Sequence, residues 1–270
     1  MAVAFERFRH LVLVPAVAGG IERRFVLDTG IGPTLLTPEL CAAAGGQETG
    51  DRFTGPRMSG QEIVLPLARV PSLRFDTLER RELEVGVFDL RDGLPPELAD
   101  IGGFLSLAFF DTHPFTVDYP QETVALETDE TLAARLREGV AVDVELARDG
   151  PSLDAFLPLA LPGGRTISAE VDMGSDSLVL DERFAAEVGV DLEAPDVRRV
   201  EGTDETGGAF RRTFATLDGS VQPSGAPALA QERPEAMFQR IVHDGLVGDS
   251  FLRRQAVTYD LGRSRLVFAA

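Results

Sequence analysis

A single cysteine, three histidines, no lysine and no asparagine leave this chain few routes to several common chemistries. One thiol, Cys41, closes no internal disulfide, which fits a reducing compartment, and it reads as a small core residue of a helix. His10, His113 and His243 are scattered, so with one cysteine they gather no ligand set for zinc or a similar metal. The His243-Asp244 pair reads as structural or superficial. All 26 basic residues are arginine, a composition bias, and the lack of asparagine removes any N-glycosylation sequon. No apolar run approaches the length of a membrane span, which argues against a membrane partner. Against 44 acidic residues the net charge is -18, and phosphate recognition needs a basic surface, so nucleic acid and anionic lipid are excluded as partners.

What is present is a repeat. Phe25-Val26-Leu27-Asp28-Thr29-Gly30 returns as Ala169-Glu170-Val171-Asp172-Met173-Gly174, 144 residues later. At the same offset Leu13 meets Leu157, Gly19-Gly20 meets Gly163-Gly164, Leu35-Leu36 meets Val179-Leu180 and Gly45 meets Gly189. Towards the end of each half the offset becomes 142, with Gly103-Phe104-Leu105 on Gly245-Leu246-Val247 and Asp118 on Asp260. Register kept over many motifs marks a duplicated unit. At 270 residues, 44% hydrophobic and 26% charged, the chain is long enough for two small domains with real cores. An Asp ending an apolar strand is costly to desolvate alone and asks for a partner or a task. The glycine two residues on lets the backbone turn sharply.

The division expected is a first lobe over 1–128, a helical linker over 129–139 and a second lobe over 140–270. Arg7 and Arg9 before Leu11-Val12-Leu13-Val14 imitate a signal peptide. Because Leu13 to Gly20 aligns with Leu157 to Gly164 in mid-chain, the stretch reads instead as a strand, and the protein as cytoplasmic. Strands surround Gly19-Gly20, and Thr37-Pro38 caps and opens a short helix stopped at Gly45-Gly46. A hairpin spans Phe53 to Leu67 with Ser59-Gly60 at its tip. In the second half a helix is expected from Asp181 to Val188, a hairpin with Thr206-Gly207 at its tip, and a loop over residues 222–236, rich in Pro, Ala and Gly.

These residues resemble the pepsin and retropepsin aspartic peptidases, especially the small bacterial retropepsin-like proteins. The likeness rests on Phe25 to Gly30, on Asp172-Met173-Gly174-Ser175, and on Leu246-Val247-Gly248. It implies an all-β fold with a few short helices: two β-barrel-like lobes of the acid protease fold about a pseudo-twofold axis, with a cleft between. It implies Asp28 and Asp172 as the catalytic pair, with Thr29, Gly30, Gly174 and the hairpin tips Ser59, Gly60, Thr206 and Gly207 as substrate-binding residues, the tips acting as flaps. Two carboxyls about 3 Å apart share one proton, so one serves as base and the other as acid toward a water and a peptide carbonyl. No metal or cofactor is needed. The partner is a peptide or protein substrate, activity peaks at mildly acidic pH, and a monomer is expected, because the duplication supplies the twofold within one chain.

Two positions depart from the family. Met173 stands where Thr or Ser is usual, and a thioether donates no hydrogen bond, which leaves Thr29 without a matching partner. Ser106 stands opposite Gly248. After the turns, Ile31 offers no hydrogen bond while Ser175 has a hydroxyl, so the carboxyls have unequal surroundings. The competing function is a weak or inactive peptide-binding or regulatory protein that keeps the cleft. A serine hydrolase built on Ser106 lacks the Gly-x-Ser-x-Gly pattern and a His partner, so Ser106 reads as a core turn.

Overall fold

A computed structural model describes residues 2–89, 94–195, 197–203 and 209–269. The described residues are mostly β, in three sheets. Residues of the first half build an eight-stranded sheet. Its Leu11–Ala18 strand turns at Gly19-Gly20 into Ile21–Leu27 and also reaches Glu62–Phe75, pairing Val17 with Arg74 and Ala18 with Leu73, so the sheet curls back on itself. Gly19 and Gly20 both have positive φ, which the tight turn requires. The stretch that imitates a signal peptide is thus a strand with Val12, Leu13 and Val14 in the core.

Residues of the second half build a ten-stranded sheet in which the repeat reappears as pairing register. Ile21–Leu27 runs parallel to Gly103–Leu105, with Phe25 opposite Gly103, and Thr166–Val171 runs parallel to Gly245–Val247, with Ala169 opposite Gly245. Leu35 faces Phe104 in antiparallel register, and Val179 faces Leu246. Leu35–Leu36 runs parallel to Leu78–Val87, and Leu178–Asp181 parallel to Glu235–Gln239.

The third sheet takes strands from both halves. Phe115–Asp118 lies antiparallel to Ala256–Asp260, placing Thr116 directly opposite Thr258, 142 residues on, with their hydroxyls 2.7 Å apart. Phe115 stacks on Tyr259 at 4.6 Å. A part-buried ion pair of 2.7 Å between Arg7 and Asp249 also ties the halves. Between them, Asp129–Glu138 is a helix held by a Thr128/Thr131 capping box and ended at Gly139.

Two expectations are corrected. In place of a helix from Asp181 to Val188 there is one 3-10 turn, Glu182–Phe184. The Asp181 carboxylate accepts from the Arg183 amide at 3.0 Å and the Ile241 amide at 2.9 Å, so the segment is fastened to a neighbouring loop rather than wound into a helix. The 222–236 stretch is no simple loop: it holds Gln231–Glu232 and the start of Glu235–Gln239, where Ala236 is fully buried.

Candidate active site

Each Asp closes an apolar strand and is fixed by the neighbouring strand. The Asp28 amide donates to the Leu105 carbonyl at 3.0 Å and the Asp172 amide to the Val247 carbonyl at 3.1 Å. Each carboxylate accepts from the amide of the glycine two residues on: Gly30 to Asp28 Oδ1 at 3.0 Å, Gly174 to Asp172 Oδ1 at 2.8 Å. Each glycine then faces the other copy's carboxyl. A β-carbon on Gly30 would stand 2.7 Å from Asp172 Oδ1, and one on Gly174 would stand 2.7 Å from Asp28 Cγ. Both glycines are required by close approach, and the two carboxyls meet between them.

Burial, then the neighbouring Asp172 charge, pushes Asp28 up to about 8 against the pull of the Gly30 amide. Burial also raises Asp172, but the Gly174 and Ser175 amides and the charge of His10 oppose it, leaving about 6. Asp28 is buried and Asp172 half-buried by accessible surface, yet both are enclosed by protein, and this enclosure sets the direction for both. The inequality comes from backbone amides, two for Asp172 and one for Asp28, together with the Asp172 charge that raises Asp28 and the His10 charge that lowers Asp172. The Ser175 hydroxyl itself accepts from the Ser177 amide at 3.5 Å.

Thr29 does not lack a partner. Its hydroxyl is fully buried, donates to the Val171 carbonyl at 2.6 Å and accepts from the Met173 amide at 3.0 Å, both in the other copy. It serves the junction between the halves. The buried Met173 side chain returns no such bond. Ser106 is buried at the start of the Leu107–Phe110 helix, its hydroxyl 3.0 Å from that of Thr34. Opposite it, a β-carbon on Gly248 would stand 2.5 Å from the Ser175 carbonyl oxygen, so only the first copy has room for serine.

Ser59 and Gly60 lie in the turn between Gln47–Pro56 and Glu62–Phe75, where the Gly60 amide donates to the Arg57 carbonyl at 2.8 Å. Thr206 and Gly207 lie outside the described residues; the strands flanking them, Arg198–Thr203 and Ala209–Thr216, pair with Thr203 opposite Ala209.

Three further side chains belong to the neighbourhood. His10 Nε2 donates to the Gly174 carbonyl at 3.0 Å. Asp154, at the repeat position of His10, is raised by burial, and its charge reaches both carboxyls. Glu170 stands where the first copy has Val26; burial and then the Asp172 charge raise it well above the carboxylate range, and it lies 3.5 Å from His243 Nε2. The 144-residue offset was the signal for Asp154 and Glu170; His243 carries none. Among the described residues no three His, Cys, Asp or Glu side chains form a set suited to a metal ion, and no helix is long and apolar enough to cross a membrane. A surface hollow of about 500 Å³ is lined by Arg24, Thr37, Glu39 and Asp100 and does not include either carboxyl.

Residues 14–102 match the aspartyl protease family model. The matched span holds Asp28 and the hairpin with Ser59 and Gly60, and ends before the second copy, so the first half is similar to aspartyl proteases in sequence. No curated protein matches the chain. Among solved structures it is similar to conglutin gamma, a basic 7S globulin from lupine seeds. That likeness has 12% identity and a TM-score of 0.53, covers 100% of this chain and 94% of that one, and bears on the fold alone.

Proposed function

We propose that the protein is an aspartic endopeptidase of the retropepsin-like or pepsin-like kind: two barrel-like lobes, 1–128 and 140–270, joined by 129–139, cutting an extended polypeptide between them. The observation that carries this reading is the reciprocal fit of each glycine against the other copy's carboxyl, which sets Asp28 and Asp172 face to face. The aspartyl protease match over residues 14–102 supports it at the coarser level.

Asp172, the lower of the two, ionises first while Asp28 keeps the shared proton. A water held between them gives a proton to Asp172 as its oxygen bonds to the scissile carbonyl carbon. Asp28 donates a hydrogen bond to the oxygen that takes up the charge. Collapse of the tetrahedral intermediate breaks the C–N bond, and the leaving nitrogen takes the proton from Asp172. The pair thus works between its two proton losses, nearer neutrality than an ordinary carboxyl pair. A cytoplasmic monomer is part of the proposal, in keeping with a free, buried Cys41.

The test is digestion of a mixed peptide library from acid to mildly alkaline pH, read by mass spectrometry, beside Asp28→Asn and Asp172→Asn. Cleavage by wild type that vanishes in both variants is expected. Cleavage that survives either substitution, or none at all by folded wild type, overturns the reading. The buried Met173, with no bond to return to the first copy, favours a second reading: a peptide-binding protein without turnover. Its mark is peptide binding by wild type without products.

A further inference from the structure

The chain has two tyrosines and no tryptophan, and both phenols are buried where the halves meet. Tyr259 lies in Ala256–Asp260 of the shared sheet, fully buried, with its ring stacked on Phe115. Tyr119 follows Phe115–Asp118, its ring edge-on to Phe5 at 6.3 Å and the Arg7 guanidinium 5.7 Å from its centroid. The 142-residue offset sets Tyr259 on Val117 and Tyr119 on Leu261, so neither hydroxyl has a counterpart in the other half. Among the described residues neither hydroxyl has a hydrogen-bond partner of ordinary geometry. A buried polar group left so is costly and asks for a reason.

For Tyr259 the surroundings supply one. Burial pushes its phenol up, hydrogen bonding from the neighbouring Thr29 hydroxyl opposes this, and the Asp172 charge adds to it. The phenol therefore lies beside Thr29 Oγ1 and within the field of the second Asp. Thr29 Oγ1 gives its proton to the Val171 carbonyl and takes one from the Met173 amide, which leaves one lone pair open. Met173, where a hydroxyl would serve the junction from the other side, is buried in the same cluster as Tyr259.

We propose that Tyr259 is a positioning residue of the Asp pair: its O–H closes on the open lone pair of Thr29 Oγ1 and supplies, from the shared sheet, the hydroxyl that Met173 withholds. Its effect on rate rests on the peptidase reading; the bond itself does not. A phenol proton turns about its C–O bond to find an acceptor, and stacking on Phe115 holds the ring in place. Thr29 sits between Asp28 and the Gly30 amide that bonds the Asp28 carboxylate, so fastening Thr29 fixes where that carboxyl meets Asp172. Fully buried, Tyr259 touches no substrate.

Without tryptophan, the near-ultraviolet band above the phenylalanine region reads these two phenols alone. A phenol that donates a hydrogen bond absorbs further to the red. Thr29→Val is therefore expected to move the band to the blue in the wild-type and Tyr119→Phe backgrounds and to leave it unmoved in Tyr259→Phe. Where Thr29→Val does not fold, amide exchange at Met173 takes its place: faster in Tyr259→Phe, unchanged in Tyr119→Phe. In cleavage, Tyr259→Phe keeps the ring and is expected to lower kcat about 5-fold with KM unchanged. Adding Met173→Thr returns most of that loss, yet in wild type it changes kcat by less than about 2-fold. A blue shift that persists in Tyr259→Phe, no shift in any background, equal Met173 exchange in the two Phe variants, an undiminished kcat or a loss that Met173→Thr leaves unrepaired overturns the proposal. If the spectral result holds while no variant cleaves any peptide, the peptidase reading is what has failed, and Tyr259 stands as a tie between the halves.

Discussion

Thr29 Oγ1 takes the Met173 amide proton at 3.0 Å and gives its own to the Val171 carbonyl at 2.6 Å, so one hydroxyl stitches the two Asp turns together from one side. Thr29→Val removes both bonds and leaves a buried N–H without an acceptor, a loss of about 2–4 kcal/mol. Met173→Thr adds a hydroxyl at the mirrored position and is expected to change stability by less than half as much. Urea unfolding of both variants checks the ordering; equal losses would mean that the crossing carries no special weight.

Asp28 is raised on folding, so the native state holds its proton more tightly than the unfolded chain does. Stability therefore falls as pH climbs from the ordinary carboxylate range towards 8. Asn at position 28 keeps an acceptor for the Gly30 amide without the charge. Asp28→Asn should thus raise the melting temperature at pH 8 by several degrees, about 2–4 °C per kcal/mol, and change it little at pH 4. A larger gain at pH 4 would reverse the assigned direction.

His10 holds Asp172 down through its charge. With His10→Phe, Asp172 rises, and the acid limb of the pH–rate profile should move upward by a few tenths of a pH unit while the alkaline limb stays. A downward shift of the acid limb would show that the ring acts through the Gly174 carbonyl rather than by charge.

At Gly30 a methyl group meets a carboxyl that cannot retreat without breaking its bond to the Gly174 amide. Gly30→Ala is expected to cut activity by about 100-fold or more while the protein still folds. At Gly20, also a turn glycine but with open space around a β-carbon, Ala should leave activity unchanged. Assays of the two variants side by side separate crowding at the carboxyls from turn strain.

Much of the arrangement was legible because duplication is a statement about spacing. The 144- and 142-residue offsets mark segments that pair alike in the two halves, and the Thr37-Pro38 start of the short helix behaved as local chemistry dictates. The Asp181–Val188 helix failed because the Asp181 carboxylate, which looks like a helix cap, is shared with the distant Ile241 amide. Residues 222–236 misled because proline and glycine mark turns, while a parallel partner as remote as Leu178–Asp181 leaves no local trace. The bond from the Val242 amide to the Met58 carbonyl, 3.0 Å, was out of reach for the same reason: no offset relates the two residues.

In the shared sheet, Phe115–Asp118 pairs on one side with Thr123–Leu126 of its own half and on the other with Ala256–Asp260. A ribosome finishing residue 128 has therefore made a half with one strand edge that must wait until residue 260 for its partner. Until then Phe115, stacked on Phe110 from its own half, lacks the Tyr259 ring on its other face. During synthesis, such an edge is a hazard that a chaperone or a passing second copy can meet first.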